Sequence, residues 1–178
     1  MLTFRPLTEQ EIEVKVKQVR QNGVVCLLYK NARTDMDLLD ETVGPENWSN
    51  DYREVKGNLY AGISINFGNG EWIEKWDCGI ESRADGEGNE KKGEASDAFK
   101  RAGFRWGIGR ALYTSPFIWV PSEKCNIRES EFGGKKKYSC YDSFSVEKIK
   151  YSEDGKRIIA LAIHNDTNGK RAFVWQQT

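Results

Sequence analysis

Between Lys91 and Tyr113 the chain carries the periodicity of one long helix, and that helix constrains what the rest can fold into. At about 100° per residue, Ala95, Ala98, Phe99, Ala102, Trp106, Gly109 and Tyr113 share one side, while Lys100, Arg101 and Arg105 point largely away from it. An apolar side of that length needs a partner layer. The preceding residues supply one: Leu59, Ala61, Ile63 and Ile65 alternate with Tyr60, Gly62, Ser64 and Asn66, the pattern of a sheet with one buried side. Strands are predicted over about 48–55, 59–66 and 71–78, with turns at Lys56-Gly57-Asn58 and Gly68-Asn69-Gly70. The expected fold class is therefore α+β: an antiparallel β-β-β-α core whose sheet packs against one long helix, with a C-terminal β-hairpin extension.

Upstream, Thr8-Glu9-Gln10-Glu11 reads as a capping box, and Ile12, Val16 and Val19 follow at helical spacing, which predicts an opening helix ending near Asn22-Gly23. The run Val24 to Tyr29 suits a strand. Thr34 is the expected cap of a short helix with Met36, Leu39 and Val43 on its packed side, stopped by Gly44-Pro45. Asp85-Gly86-Glu87-Gly88-Asn89-Glu90 reads as a mobile loop that lacks the sixth-position glycine of an EF-hand. Ser115 to Pro121 is apolar and extended, and hairpin signals mark Phe144 to Lys150, Arg157 to His164 and Arg171 to Trp175. A chain of 178 residues suits one domain, divided into a core over 1–121 and a β extension of the same domain over 122–178.

Charge is concentrated rather than general. The chain has 27 basic and 27 acidic residues, yet Lys91, Lys92, Lys100, Arg101, Arg105 and Arg110 stand against only Glu94 and Asp97 in the helical segment. A basic, aromatic helix side points to single-stranded nucleic acid, with a merely solvated face as the bland alternative. Gly103 and Gly107 each cost about 1 kcal/mol of helix propensity, which suggests close approach of a strand, a neighbouring subunit or a ligand backbone.

Glu94-Ala95-x-Asp97-Ala98-Phe99-Lys100-Arg101-Ala102, then Arg105-Trp106-Gly107 and Ala111-Leu112, resembles the signature helix of the Rad52-type single-strand annealing proteins, which include phage-encoded recombination proteins. Val25-Cys26-Leu27-Leu28-Tyr29 with Arg33, Asn47-Trp48-Ser49, Gly57 to Ile65, Gly70-Glu71-Trp72 and Asp77-Cys78-Gly79 are similar to the family's preceding elements, so the resemblance covers about residues 8 to 120. It implies ATP-independent binding and annealing of single-stranded DNA in recombination or double-strand break repair. It also implies a homo-oligomeric ring, with a partner nuclease or host single-strand binding protein in the same process. Lys100 and Arg101 take the places of the family's groove cations, and Arg33 that of its basic residue after the first strand. Arg105 stands one position beyond the third, which is Phe104 here; Lys92 belongs to the same basic segment. The family's basic position between the second and third strands is Gly68, and Lys135-Lys136-Lys137 is the candidate replacement, unless it is a solvated turn.

No catalytic machinery is expected, and neither a cofactor nor a metal. There is no phosphate-binding Gly-x-x-x-x-Gly-Lys-Ser/Thr, and the Gly-x-Gly pairs at 86–88 and 107–109 lack a dinucleotide context. His164, the sole histidine, reads as structural. Cys26, Cys78, Cys125 and Cys140 read as buried thiols without metal-ligand spacing. Tyr60, Trp72, Trp76 and Phe104 are core residues or base-stacking platforms. With no apolar run of membrane length and no signal-peptide layout, a cytoplasmic location, bacterial or phage-infected, without membrane attachment is expected. Two rival functions stay open: a structural ring-forming phage component without DNA binding, and a metal-dependent nuclease using Glu71 and Glu74 or the acids Asp35, Asp37, Asp40 and Glu41, which otherwise form a solvated helix side.

Overall fold

In the computed structural model, which describes residues 2–80 and 90–178, the chain opens on a strand where a helix was expected. The Thr8 capping box is real, with the Thr8 N–H donating to Glu11 Oε2 at 2.7 Å, but it serves a single 3-10 turn, Glu9–Glu11. Strand β1 (Glu13–Arg20) follows and pairs antiparallel with β2 (Gly23–Tyr29). A bulge between Val16 and Gln18 explains the misreading. Val14 and Val16 alternate with lysines at period two, and the extra residue returns Val19 to their side of the sheet, opposite Val24, so an interrupted alternation imitates helical spacing.

Helix α1 (Ala32–Val43) is capped by Asn31 rather than Thr34: the Asn31 Oδ1 accepts from the Thr34 N–H at 2.9 Å. Leu38 and Leu39 are buried, whereas Met36, expected on the packed side, is exposed. Gly44, at φ +88°, ends the helix, and Pro45 begins a 3-10 turn.

Strands β3 (Trp48–Val55), β4 (Asn58–Asn66) and β5 (Trp72–Cys78) form an antiparallel sheet in that order. Ala61, Ile63 and Ile65 of β4 are buried, and register places Tyr52 and Asp77, Asn50 and Lys75, and Trp48 and Ile73 on the same side. Helix α2 (Glu90–Trp106) covers that side with Ala98, Phe99 and Ala102, all fully buried. Side chains of α2 also tie it to backbone of the sheet and of the segment just beyond β5. Glu94 Oε1 accepts from the Leu59 N–H at 3.1 Å, Asp97 Oδ2 from the Ile80 N–H at 3.1 Å, and Trp106 Nε1 donates to the Ile63 carbonyl at 2.9 Å.

The helix stops well short of Tyr113. Gly107, at φ +104°, donates to the Phe104 carbonyl at 3.1 Å, and Ile108 donates to the Gly103 carbonyl at 3.1 Å, the paired bonds of a Schellman ending. A 3-10 segment, Arg110–Thr114, follows, burying Ala111 and Leu112 and leaving Tyr113 69% exposed. Residues 81–89, which include the expected loop from Asp85 onward, lie outside the described residues.

The chain divides into two compact units. One comprises the N-terminal residues up to Arg5 with Lys30–Arg110, and thus α1, the three-stranded sheet and α2; the other comprises Pro6–Tyr29 with Ala111–Thr178. In the second, β6 (Ile118–Pro121), β9 (Phe144–Tyr151), β10 (Ile158–Asn165) and β11 (Lys170–Gln176) join the first two strands in one antiparallel sheet of order β11-β10-β9-β1-β2-β6. The C-terminal strands continue the opening hairpin, since Val14 pairs with Phe144. A separate hairpin, β7 (Arg128–Phe132) and β8 (Lys135–Ser139), holds Lys135, Lys136 and Lys137 on a strand, not in a turn. Buried Asn165 braces this unit, donating to the Lys124 carbonyl and Asp142 and accepting from the Thr167 N–H.

Phe99 is the largest side chain fully buried in the first unit. Phe99→Ala is expected to lower unfolding free energy by about 3–5 kcal/mol, read from denaturant midpoints at constant m-value.

Candidate nucleic-acid interface

Two flanks of α2 carry different electrostatics. On the flank toward β5, Arg101 and Arg105, one helical turn apart, converge on Asp77. Arg105 Nε lies 3.0 Å from Asp77 Oδ2 and Arg101 Nε 3.6 Å from Oδ1. Asp77 reaches them because it sits opposite Ala61, on the helix-facing side of the sheet. The arginine side chains stay 39% and 58% exposed, although Arg101 Nε itself is buried without a hydrogen-bond partner.

Further along this flank, Lys75 Nζ sits 4.2 Å over the Trp106 ring and donates to the Arg105 carbonyl at 3.2 Å. Arg110 donates to the Phe104 and Arg105 carbonyls at 2.9 and 2.8 Å. Cations thus satisfy the carbonyls left open at the C-terminal end of the helix, where its dipole favours positive charge.

On the flank toward α1, Lys30 and Asp35 form a buried ion pair. Gly103 is the reason it fits: a Cβ there would lie 2.8 Å from Asp35 Oδ1 and 3.0 Å from Lys30 Nζ. The close approach expected at this glycine is thus to an ion pair of the chain itself, while Gly107 has nothing within 4 Å and serves as the left-handed helix end. Lys30 Nζ also lies 4.0 Å over the Phe104 ring. Burial pushes the Lys30 ammonium down to about 8 and the Asp35 carboxyl up to about 6, each opposed by the partner's charge. The nearby Lys100 charge adds to the lowering of Lys30 and opposes the rise of Asp35, and Asp35 Oδ2 has no hydrogen-bond partner. Asp35 was expected on a solvated side; it is instead completely buried, removed from any surface carboxylate cluster.

Of the candidate site residues, Arg101 and Arg105 are brought together on Asp77, and Lys100 sits half-exposed beside the Lys30–Asp35 pair. Lys92, in the first turns of α2, and Arg33, on the first turn of α1, are exposed. Lys30, Lys75 and Asp77 were not singled out from sequence. The signal for Asp77 was there: continuing the β5 alternation places it on the side of the helix, across from arginines at i and i+4.

Three of the four candidate aromatics lie on the side of the sheet away from α2. Trp76 lies on the side away from α2, its ring across Gly62 and under the Arg53 guanidinium at 4.2 Å, with Nε1 donating to Glu74 Oε2 at 3.0 Å. Tyr60 and Trp72 share that side by register, whereas Phe104 belongs to the helix. His164, on β10, shares a 2.9 Å hydrogen bond with Asp166, which raises its pKa. Cys26 and Cys125 are buried and Cys78 and Cys140 half-buried, all as free thiols. Among the described residues, no group of three or more His, Cys, Asp or Glu side chains is placed to hold a metal ion, and no helix is long and apolar enough to cross a membrane.

A family model described as Rad52/22 family double-strand break repair protein matches residues 5–131 of this chain, a span that includes both helices, the three-stranded sheet and β7 nearly to its end. No curated protein matches the chain.

Breaking the buried pair should cost more than replacing it. Lys30→Met or Asp35→Leu alone is expected to destabilise the protein by about 3–5 kcal/mol, because each strands the other charge, and the double variant to recover most of that loss. Chemical denaturation of the three variants and the native chain measures the cycle.

Proposed function

The chain belongs to the Rad52/22 family of double-strand break repair proteins, and from that premise we propose that it binds single-stranded DNA and anneals complementary strands without ATP, as an oligomeric ring. The observation that carries this reading is the exposed cationic flank of α2, where Arg101 and Arg105 are held side by side by one carboxylate. Annealing forms and breaks no covalent bond. It needs one strand's phosphates neutralised and the strand held extended, while base edges stay free to test a complement.

Lys100, Arg101 and Arg105 supply the phosphate contacts, with Arg33 and Lys92 extending the positive surface. Asp77 plays two parts. It sets the guanidinium groups in place before a strand arrives, which lowers the ordering cost of binding, and its charge competes with phosphate for them. The helix acids Glu94 and Asp97 are turned instead toward backbone N–H groups, that of Leu59 in β4 and that of Ile80 just beyond β5. A net charge of zero is compatible with such a site because distribution, not the sum, sets the local field. Each phosphate contact releases counterions, so affinity falls as salt rises.

Annealing of two complementary labelled oligonucleotides, without ATP or magnesium, tests the proposal. The native chain should accelerate it, and Lys100→Ala with Arg101→Ala should abolish the acceleration while circular dichroism and oligomer size stay native. The same double variant should flatten the log–log salt slope of single-strand affinity by about 1.4, at ~0.7 for each phosphate no longer neutralised. Asp77→Asn should raise affinity several-fold at low salt. Absence of any single-strand preference in the native chain would overturn the reading.

A further inference from the structure

The β7–β8 hairpin buries none of its charged residues. Arg128, Glu129, Glu131, Lys135, Lys136 and Lys137 are all exposed, and the two strands form a sheet by themselves, closed by a tight turn at Gly133 and Gly134, both at positive φ. A ribbon of this kind adds little to the core. What it offers is its surface, and the register sorts that surface by charge.

Residues directly opposed in an antiparallel pair share a side. Arg128 stands opposite Ser139 and Ser130 opposite Lys137, and Lys135, two residues from Lys137, falls on the same side. Glu129 stands opposite Tyr138, and Glu131 opposite Lys136, on the other. Both carboxylates of the hairpin therefore lie on one side, where Lys136 Nζ sits 2.8 Å from Glu129 Oε1, and three of its four cations lie on the other. The acidic side turns inward: Glu129 and Tyr138 line a cleft with Gln21, Ser122 and Asn126. Asp142, just past the hairpin, is engaged by the Asn126 N–H at 2.8 Å, the Asn126 side chain at 2.9 Å and the Asn165 side chain at 2.7 Å. The Arg128 guanidinium lies 5.5 Å from the ring of Tyr141, itself 76% exposed.

We propose that the Arg128, Lys135 and Lys137 side of this hairpin is a further nucleic-acid site, whose ligand is the phosphate backbone of double-stranded DNA, the product of annealing. A two-stranded ribbon has the width that the major groove of a duplex admits. Lys135 and Lys137 stand about 7 Å apart along their strand, with Arg128 across the ribbon. Three cations so spaced suit a duplex, which carries one charge per about 1.7 Å of its axis, twice the density of either strand. Contacts to the backbone carry no sequence preference, as annealing of any sequence requires. The inference rests on the annealing reading for the identity of its ligand, while its residues belong to the second unit and take no part in the α2 site.

Fluorescence anisotropy of the full chain, with a labelled duplex and with one of its strands over a salt series, tests the site. Lys135→Gln with Lys137→Gln should weaken duplex binding several-fold and flatten its log–log salt slope by about 1.8, at ~0.9 for each phosphate no longer neutralised, while single-strand binding keeps its native slope. Lys136→Gln, on the acidic side, should leave both ligands bound as by the native chain, with circular dichroism native throughout. Unchanged duplex binding in the double variant, or an equal loss in Lys136→Gln, would overturn the site. So would an equal loss for single strand and duplex, or a loss confined to a polyglutamate peptide, which would make this side a protein-docking surface. A native chain that binds single strands but no duplex would overturn the site and leave the proposed function standing; one that holds a duplex through the hairpin without any single-strand preference would do the reverse.

Discussion

One buried ion pair sets the rotation of α2 about its axis. Lys30 and Asp35 leave water at a cost their mutual attraction only partly offsets, so the pair exists only where a neighbour comes close enough to keep solvent away without a steric clash. A glycine meets that condition. Because Gly103 must face the pair and Phe99, one turn earlier, must enter the core, residues two positions from Gly103 are carried about 200° round the helix. Arg101 and Arg105 are those residues. Their convergence on Asp77 is thus a geometric consequence of packing on the opposite flank.

The carboxylates of this unit explain how a chain of zero net charge presents a cationic helix. Glu94 accepts from the Leu59 N–H of β4 and Asp97 from the Ile80 N–H just beyond β5, and Asp35 is sealed beside Lys30. Among the described residues, Asp77 is the carboxylate that faces the arginines, and it is shared between two of them.

Legibility in the sequence followed the regularity of the local pattern. The three central strands were readable to within a residue or so because β4 alternates without interruption and glycine-rich turns bound it. The opening strand was misread because its bulge turned a period of two into a spacing that mimics a helix. The second helix was read too long because the apolar side continues past Gly107 in projection, while the backbone leaves the helix there. Strands β7 and β8 carry charge on three of five residues each and offered no alternation to read. At the candidate interface, the basic residues were visible as composition. Their counterion was not, since Asp77 acquires its role through register with Ala61, a relation between strands that no window along the chain contains.

The first unit interrupts the second in the chain, between Tyr29 and Ala111, and this has consequences for the order of assembly. Helix α1, the three strands and α2 close through contacts between neighbouring elements, so they can form as soon as Arg110 has been made. The other sheet must wait. Its β2–β6 ladder joins Cys26 to Ile118, and its β1–β9 ladder joins Val14 to Phe144, across the whole insertion. Emerging from a ribosome, the opening hairpin stays unpaired on both flanks until the inserted unit has been completed, and early compaction of that unit shortens the loop the late ladders must close.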